Sequence, residues 1–162
     1  PQTYLDTYCS EVKGRDPIVD LYLRESLECY HQRCFLACIV MLGVSAEGCF
    51  FDVAASFADW MSTSAGDDFR SKLENRQTSY SAHLRDFRKL LDDHAKEIPP
   101  ALLEGLGIQV VAVFDLIRNY RNDSGHPTGT TVDRATCHTC LTAFVPAVKR
   151  MYELKDFFGE EQ

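Results

Sequence analysis

Residues 34–51 read CFLACIVMLGVSAEGCFF, and the arrangement of apolar side chains in this run sets the architecture of the whole chain. Phe35, Ile39, Val40, Leu42 and Val44 point to nearly every side of a helix, not to a single stripe. A helix that is apolar all round must be enclosed by other elements, so the spacing predicts a central, buried helix over about 33–61. No alternating strand pattern of useful length occurs anywhere in the chain.

The flanking segments supply the enclosing helices. Asp16 followed by Pro17 is a helix start, with Asp as N-cap and Pro at the first helical position, and predicts a helix over 17–30. Residues 62–67 form a break. Asp67 or Asp68 is the expected cap of a third helix over 69–96, with Phe69, Leu73, Tyr80, Leu84, Phe87 and Leu91 on its inner edge. Ile98-Pro99-Pro100 ends that helix, because proline disfavours helical geometry before it. Gly105 and Gly107 weaken the first turns of the next helix, so continuous helix is expected only from near Ile108. A last helix is expected over 132–158, kinked or broken at Pro146. These elements predict an all-α bundle of about five helices, centred on residues 40–51.

With 162 residues, 45% of them hydrophobic, residues 1–162 make one domain with a substantial core. The chain opens on Pro1-Gln2-Thr3, without a methionine or a signal-like segment, as expected of a domain excised from a longer protein. A net charge of -7 and a pI near 5.2 oppose broad, nonspecific affinity for nucleic acid. Any RNA contact must therefore be local, and Arg118, Arg121, His126 and Arg134 are the cations that would supply it. Seven cysteines, an odd number scattered through apolar helical stretches, predict a reducing, cytoplasmic setting instead of a disulfide framework. The apolar run 34–46 is shorter than a membrane span and is followed by Glu47 and Asp52, so no membrane association is expected.

The segment Ile117-Arg118-Asn119-Tyr120-Arg121-Asn122-Asp123-Ser124-Gly125-His126-Pro127 carries the chemistry. Leu103, Leu106, Val110, Phe114 and Ile117 fall on one helical face, and Arg121 continues that line. A guanidinium keeps its charge, so one facing inward needs a carboxylate, a phosphate or a crevice open to solvent. His126 lies just beyond the expected helix end, close enough to share such a crevice, and imidazole exchanges protons near neutral pH. The same residues also read as a helix C-terminus: Gly125 after the last turn, Pro127 beyond it, and Arg118 and Arg121 complementing the helix dipole.

Glu47 is the only acidic residue between Glu28 and Asp52. A buried carboxylate needs a partner, and pairing with Arg118 or Arg121 would hold a guanidinium in a fixed orientation. The alternative rotates Glu47 to the bundle surface beside Ser45. Cys137-His138-Thr139-Cys140 has the spacing of half a zinc site but lacks further ligands. Cys137, Leu141, Phe144, Val148, Met151 and Phe158 share a helical face, so these cysteines, like Cys34 and Cys38, are read as small core residues. His83 and His94 sit among charged residues and are expected to be solvated. No phosphate-binding glycine loop, serine nucleophile motif or metal-binding histidine pair is present, and no cofactor or metal is expected.

Arg121, the polar Asn122, a three-residue spacer and His126, set in a helical chain, resemble the motif of the HEPN superfamily (higher eukaryotes and prokaryotes nucleotide-binding). The resemblance implies an all-α bundle with the motif toward the end of a long helix. Paired motifs from two protomers would then form a metal-independent ribonuclease site. By that resemblance Arg121 and His126 are the catalytic pair and Asn122 the supporting polar residue; Glu47 and Arg118 join them as supporting residues on the pairing argument above, not on the resemblance. The partners are a second copy docked through the motif helices, an RNA substrate and a regulatory protein. Ile117-Arg118 and Gly125-His126-Pro127-Thr128-Gly129 are similar to a prokaryotic branch associated with defence and restriction loci, which implies a toxin or antiviral setting. The toxin branch paired with nucleotidyltransferase antitoxins carries tyrosine two residues after the histidine. Thr128 stands there, so modification of a tyrosine at that site is not available to this chain. The family also admits non-catalytic modules that dimerise, sense a nucleotide or bind a partner.

Overall fold

The computed structural model describes residues 2–75, 77–125 and 131–160, and these contain helices and no strand. In chain order they are α1 (Gln2–Glu11), α2 (Pro17–His31), α3 (Phe35–Met61), α4 (Ser64–Glu74), α5 (Tyr80–Asp93), α6 (Pro100–Leu103), α7 (Ala112–Gly125) and α8 (Arg134–Glu160). One turn of π-helix, Gly107–Val111, leads directly into α7. The class is all-α, as the sequence predicts, but the described residues hold eight α-helices instead of about five.

The surplus has three sources. α1 is too polar to show a stripe, and it docks through two tyrosines: the Tyr4 hydroxyl donates to the Leu141 carbonyl at 2.7 Å and the Tyr8 hydroxyl to Asp20 at 2.9 Å. The expected helix over 69–96 is two helices. Asn75 ends the first in extended backbone, and Ser79 caps the second by accepting from the Ala82 N–H at 3.3 Å. Thr63, not Asp67 or Asp68, stands at the N-cap of α4. The third source is α6, one turn opened by Pro100 and closed before Gly105, whose φ of 70° turns the chain toward the π-turn. Asp16 caps α2 as predicted, accepting from the Ile18 N–H at 2.8 Å. Pro146 lies inside α8 without interrupting it. Phe144, Val145, Ala147 and Val148 are buried on both sides of it, and this packing outweighs the one backbone donor that proline lacks.

α3 is the centre, packed against α2, α8, α7 and α4. Cys38, Ile39, Leu42, Cys49, Phe50, Val53 and Phe57 are fully buried along it. By length and composition alone α3 would cross a bilayer, which residues 34–46 by themselves would not; in the fold half of its most apolar window is buried in the bundle. Three carboxylates along α3 each pair with a cation from a different neighbour: Glu47 with Arg121 of α7, Asp52 with Lys155 of α8, and Asp59 with Arg70 of α4.

Phe57 is the hub of the aromatic core. Its ring lies 5.0 Å from Phe158, 5.4 Å from Phe87 and 5.8 Å from Trp60, so one residue of α3 joins α5 and α8. The same cluster overturns the expectation that His83 and His94 are solvated. His83 is buried with its ring 5.5 Å from Phe51, and burial pushes its pKa down against the opposing pull of Asp86. His94 is half-buried, edge-on to Phe57 and Trp60. Aromatic rings from α3 reach across to α5 and cover both imidazoles. Cys38, Cys137 and Cys140 are core residues, whereas Cys34 is exposed because it precedes the first turn of α3.

Candidate functional site

The inner face of α7 and its π-turn is the predicted stripe: Leu106, Val110, Phe114 and Ile117 are buried, and Leu103 is half-buried on α6. Arg121 is the next residue on that face. Its seat is made by Gly43 of α3, because a Cβ on Gly43 would stand 2.7 Å from Arg121 Cγ and 2.9 Å from Arg121 Cβ. Only glycine leaves room for the arginine stem to lie against the α3 backbone. One turn further along α3, Glu47 Oε2 lies 3.3 Å from Arg121 Nη2. Asn122 Oδ1 accepts from Arg121 Nη1 at 3.2 Å. The guanidinium is therefore held through both terminal nitrogens while about a third of the side chain, 34%, remains exposed.

Arg118 serves another contact. Its Nε donates to Asp115 at 3.1 Å and its Nη1 to Ser81 Oγ at 2.8 Å, tying α7 to α5. Of the two cations offered to Glu47, Arg121 makes the ion pair. The structure thus brings together Glu47, Arg121 and Asn122, with Arg118 alongside in a separate set of bonds. His126, and residues 127–130 after it, lie outside the described residues.

Burial dominates the titration of Glu47 and raises its pKa above the ordinary value near 4.5, although Arg121 and then Arg118 pull it down. Two nearby cations do not fully offset the loss of solvation. A carboxyl with a raised folded-state pKa contributes most to stability below its unfolded value, and that contribution is lost as pH rises through the folded value. Glu47→Gln should therefore melt at or above the wild-type temperature at pH 7.5, and the difference should fade as pH drops into the ordinary carboxylate range. Thermal melts of both proteins across pH 4–8 check this expectation; a variant that melts well below wild type at pH 7.5 and recovers in acid would contradict it.

Three neighbours are not legible from the sequence as members of the site. Gly43 is one helical turn before Glu47, and a small residue at that offset from a solitary carboxylate is the only signal that points to it. Ser81 comes from α5 and carries no signal at all, and Tyr80, from the same helix, is legible only as part of its apolar inner edge. The Tyr80 hydroxyl is buried with no hydrogen-bond partner among the described residues. Burial pushes its pKa well up, with Cys49, Glu47 and Asp115 adding to the rise and Arg118 opposing it. Among the described residues no group of three or more His, Cys, Asp or Glu side chains is arranged to hold a metal ion.

Chemically, the cluster is a fixed, part-exposed guanidinium at the end of an apolar helix face. That arrangement suits an anionic oxygen better than a metal or a covalent intermediate. Compared with models of protein families, with curated proteins and with solved structures, the chain has no match in any of the three.

Proposed function

We propose that this chain is a metal-independent endoribonuclease of HEPN type that acts as a homodimer in a toxin or antiviral defence setting. The observation that carries the reading is the seat of Arg121: a groove opened by Gly43, two bonded terminal nitrogens and an exposed remainder, five residues before His126. A guanidinium held this way is preorganised for charge that develops on phosphorus oxygens. A histidine acting as base removes the proton of a ribose 2'-hydroxyl, O2' attacks the adjacent phosphorus, and the bond to O5' breaks as a second, protonated histidine donates to the leaving oxygen. The products are a 2',3'-cyclic phosphate and a 5'-hydroxyl. The need for a base and an acid at once is a reason for two motifs to meet. The outer edge of α7 supports such pairing, since Leu116 is exposed there with Tyr120 half-buried one turn away.

Unpaired RNA is the expected substrate, because the 2'-hydroxyl must align with its scissile phosphate and a rigid duplex resists this. The test is cleavage of single-stranded and loop RNAs by purified dimer in EDTA. Cleavage that weakens only modestly with salt is expected, given the few cations available to displace counterions. Varied RNAs left intact would end the reading.

A second reading is a non-catalytic helical module that dimerises, senses a nucleotide or binds a regulatory protein. The pairing pattern of α3 favours it: Glu47–Arg121 is then one of three ion pairs that fasten neighbouring helices to the central one. The net charge of -7 points the same way.

A further inference from the structure

Two cysteines meet where α2 turns into α3. α2 closes in a Schellman motif: the Cys34 N–H donates to the Cys29 carbonyl at 2.8 Å and the Arg33 N–H to the Tyr30 carbonyl at 3.2 Å, with Arg33 left-handed at a φ of 58°. The first of these bonds joins the two cysteines directly. With standard backbone dimensions it holds their Cα atoms within about 6.7 Å of each other, inside the ~4.4–6.8 Å that a disulfide bridges. Side chains at these two positions of the motif commonly touch.

The two thiols differ in exposure. Cys34 alone among the described cysteines is exposed, its Sγ donating weakly to the Gln32 carbonyl at 3.7 Å. Cys29 is half-buried beside it, and its pKa is raised first by burial and then by the neighbouring Cys34, Glu25 and Glu28. The attacking species is the thiolate, so open access makes Cys34 the first sulfur to react and the shielded Cys29 the second. Cys38, Cys49, Cys137 and Cys140 are buried, and burial pushes each of their pKa values up, which keeps them out of such chemistry.

We propose that Cys34 and Cys29 form a thiol–disulfide exchange site for low-molecular-weight disulfides of the glutathione class. The Cys34 thiolate attacks one sulfur of the disulfide, whose S–S bond breaks as the first glutathione leaves as a thiolate. The Cys29 thiolate then attacks Cys34 Sγ and displaces the second glutathione. A Cys29–Cys34 bond forms, the two cysteines give up two electrons, and their two protons pass to the leaving thiolates. The product staples the C-terminus of α2 to the start of the central helix. An exposed disulfide closing so short a loop is a labile bond, open to reduction, and not a structural one. The site stands whether or not the chain cleaves RNA.

The test is to incubate the reduced full chain with oxidised glutathione, quench it in acid, alkylate it and digest it with trypsin. Arg33 lies between the two cysteines, so cleavage after it leaves Cys29 and Cys34 on separate peptides, 25–33 and 34–70. Wild-type protein should yield these two peptides joined, and dithiothreitol should release them. Cys29→Ser should stop with one glutathione on Cys34, and Cys34→Ser should take up almost none. Neither thiol is fully buried, so both variants should keep the wild-type circular dichroism spectrum. Wild-type protein left unoxidised, glutathione retained on Cys34 with no internal bond, or joined peptides that persist in Cys34→Ser overturn the site. Cys29→Ser that takes up no glutathione overturns the assigned order of attack.

Discussion

Arg121→Ala and His126→Ala should each lower RNA cleavage about 100-fold to 10,000-fold, the range for loss of one acid, base or charge-stabilising group. Both variants should keep the fold. The Glu47–Arg121 pair is partly exposed, at 24% and 34% of the two side chains. Pairs of that kind contribute at most ~1 kcal/mol, so breaking one does not unfold a domain. Arg121→Lys should rescue little, because an ammonium is a single point and cannot reproduce a planar fork bonded on one side to Glu47 and on the other to Asn122. Initial rates in EDTA, with circular dichroism melts of the same samples, separate activity from stability. If either alanine variant folds and cuts as fast as wild type, the assigned role of that residue falls.

Phe57→Ala should be among the most damaging single changes to stability. Its ring is fully buried and faces Phe158, Phe87, Trp60, Phe69 and His94, so truncation removes contacts to α4, α5 and α8 at once. Large-to-small changes of this kind cost roughly 3–5 kcal/mol, the upper end applying where the surroundings cannot collapse into the space. In a domain of this size that lowers Tm by about 6–20 °C. Urea unfolding of the variant measures it directly. A loss below ~1 kcal/mol would mean that the surrounding rings close over the vacated volume, and that α3 is not the rigid centre on which the site is built.

The centre of this fold is legible in the sequence because apolar side chains surround residues 38–51 on nearly every side, and such a segment must be enclosed; only the first turn, with Cys34 and Leu36, stays exposed. The Glu47–Arg121 contact is legible for the opposite reason. One carboxylate stands alone on an apolar helix and needs a cation; the sequence offers Arg118 and Arg121, and the structure selects Arg121, which continues the apolar face. The break between α4 and α5 is hidden because Leu73, Tyr80, Leu84, Phe87 and Leu91 keep nearly the same helical phase across it. A turn at Asn75 and a cap at Ser79 leave the inner edge in register, and periodicity alone does not detect them. α1 is hidden because its attachment rests on tyrosine hydroxyls rather than on a stripe. The bond from Arg118 to Ser81 and the covered His83 depend on where α5 crosses the bundle, which no local pattern encodes.

Analysis of RNA ends tests the central claim most directly. A single-stranded oligonucleotide incubated with the purified protein in EDTA should yield fragments ending in 2',3'-cyclic phosphate and beginning with 5'-hydroxyl, and His126→Ala should yield almost none. Intact RNA with wild-type protein, fragments with 3'-hydroxyl and 5'-phosphate ends, or equal cleavage by His126→Ala would contradict the account and favour the non-catalytic helical module.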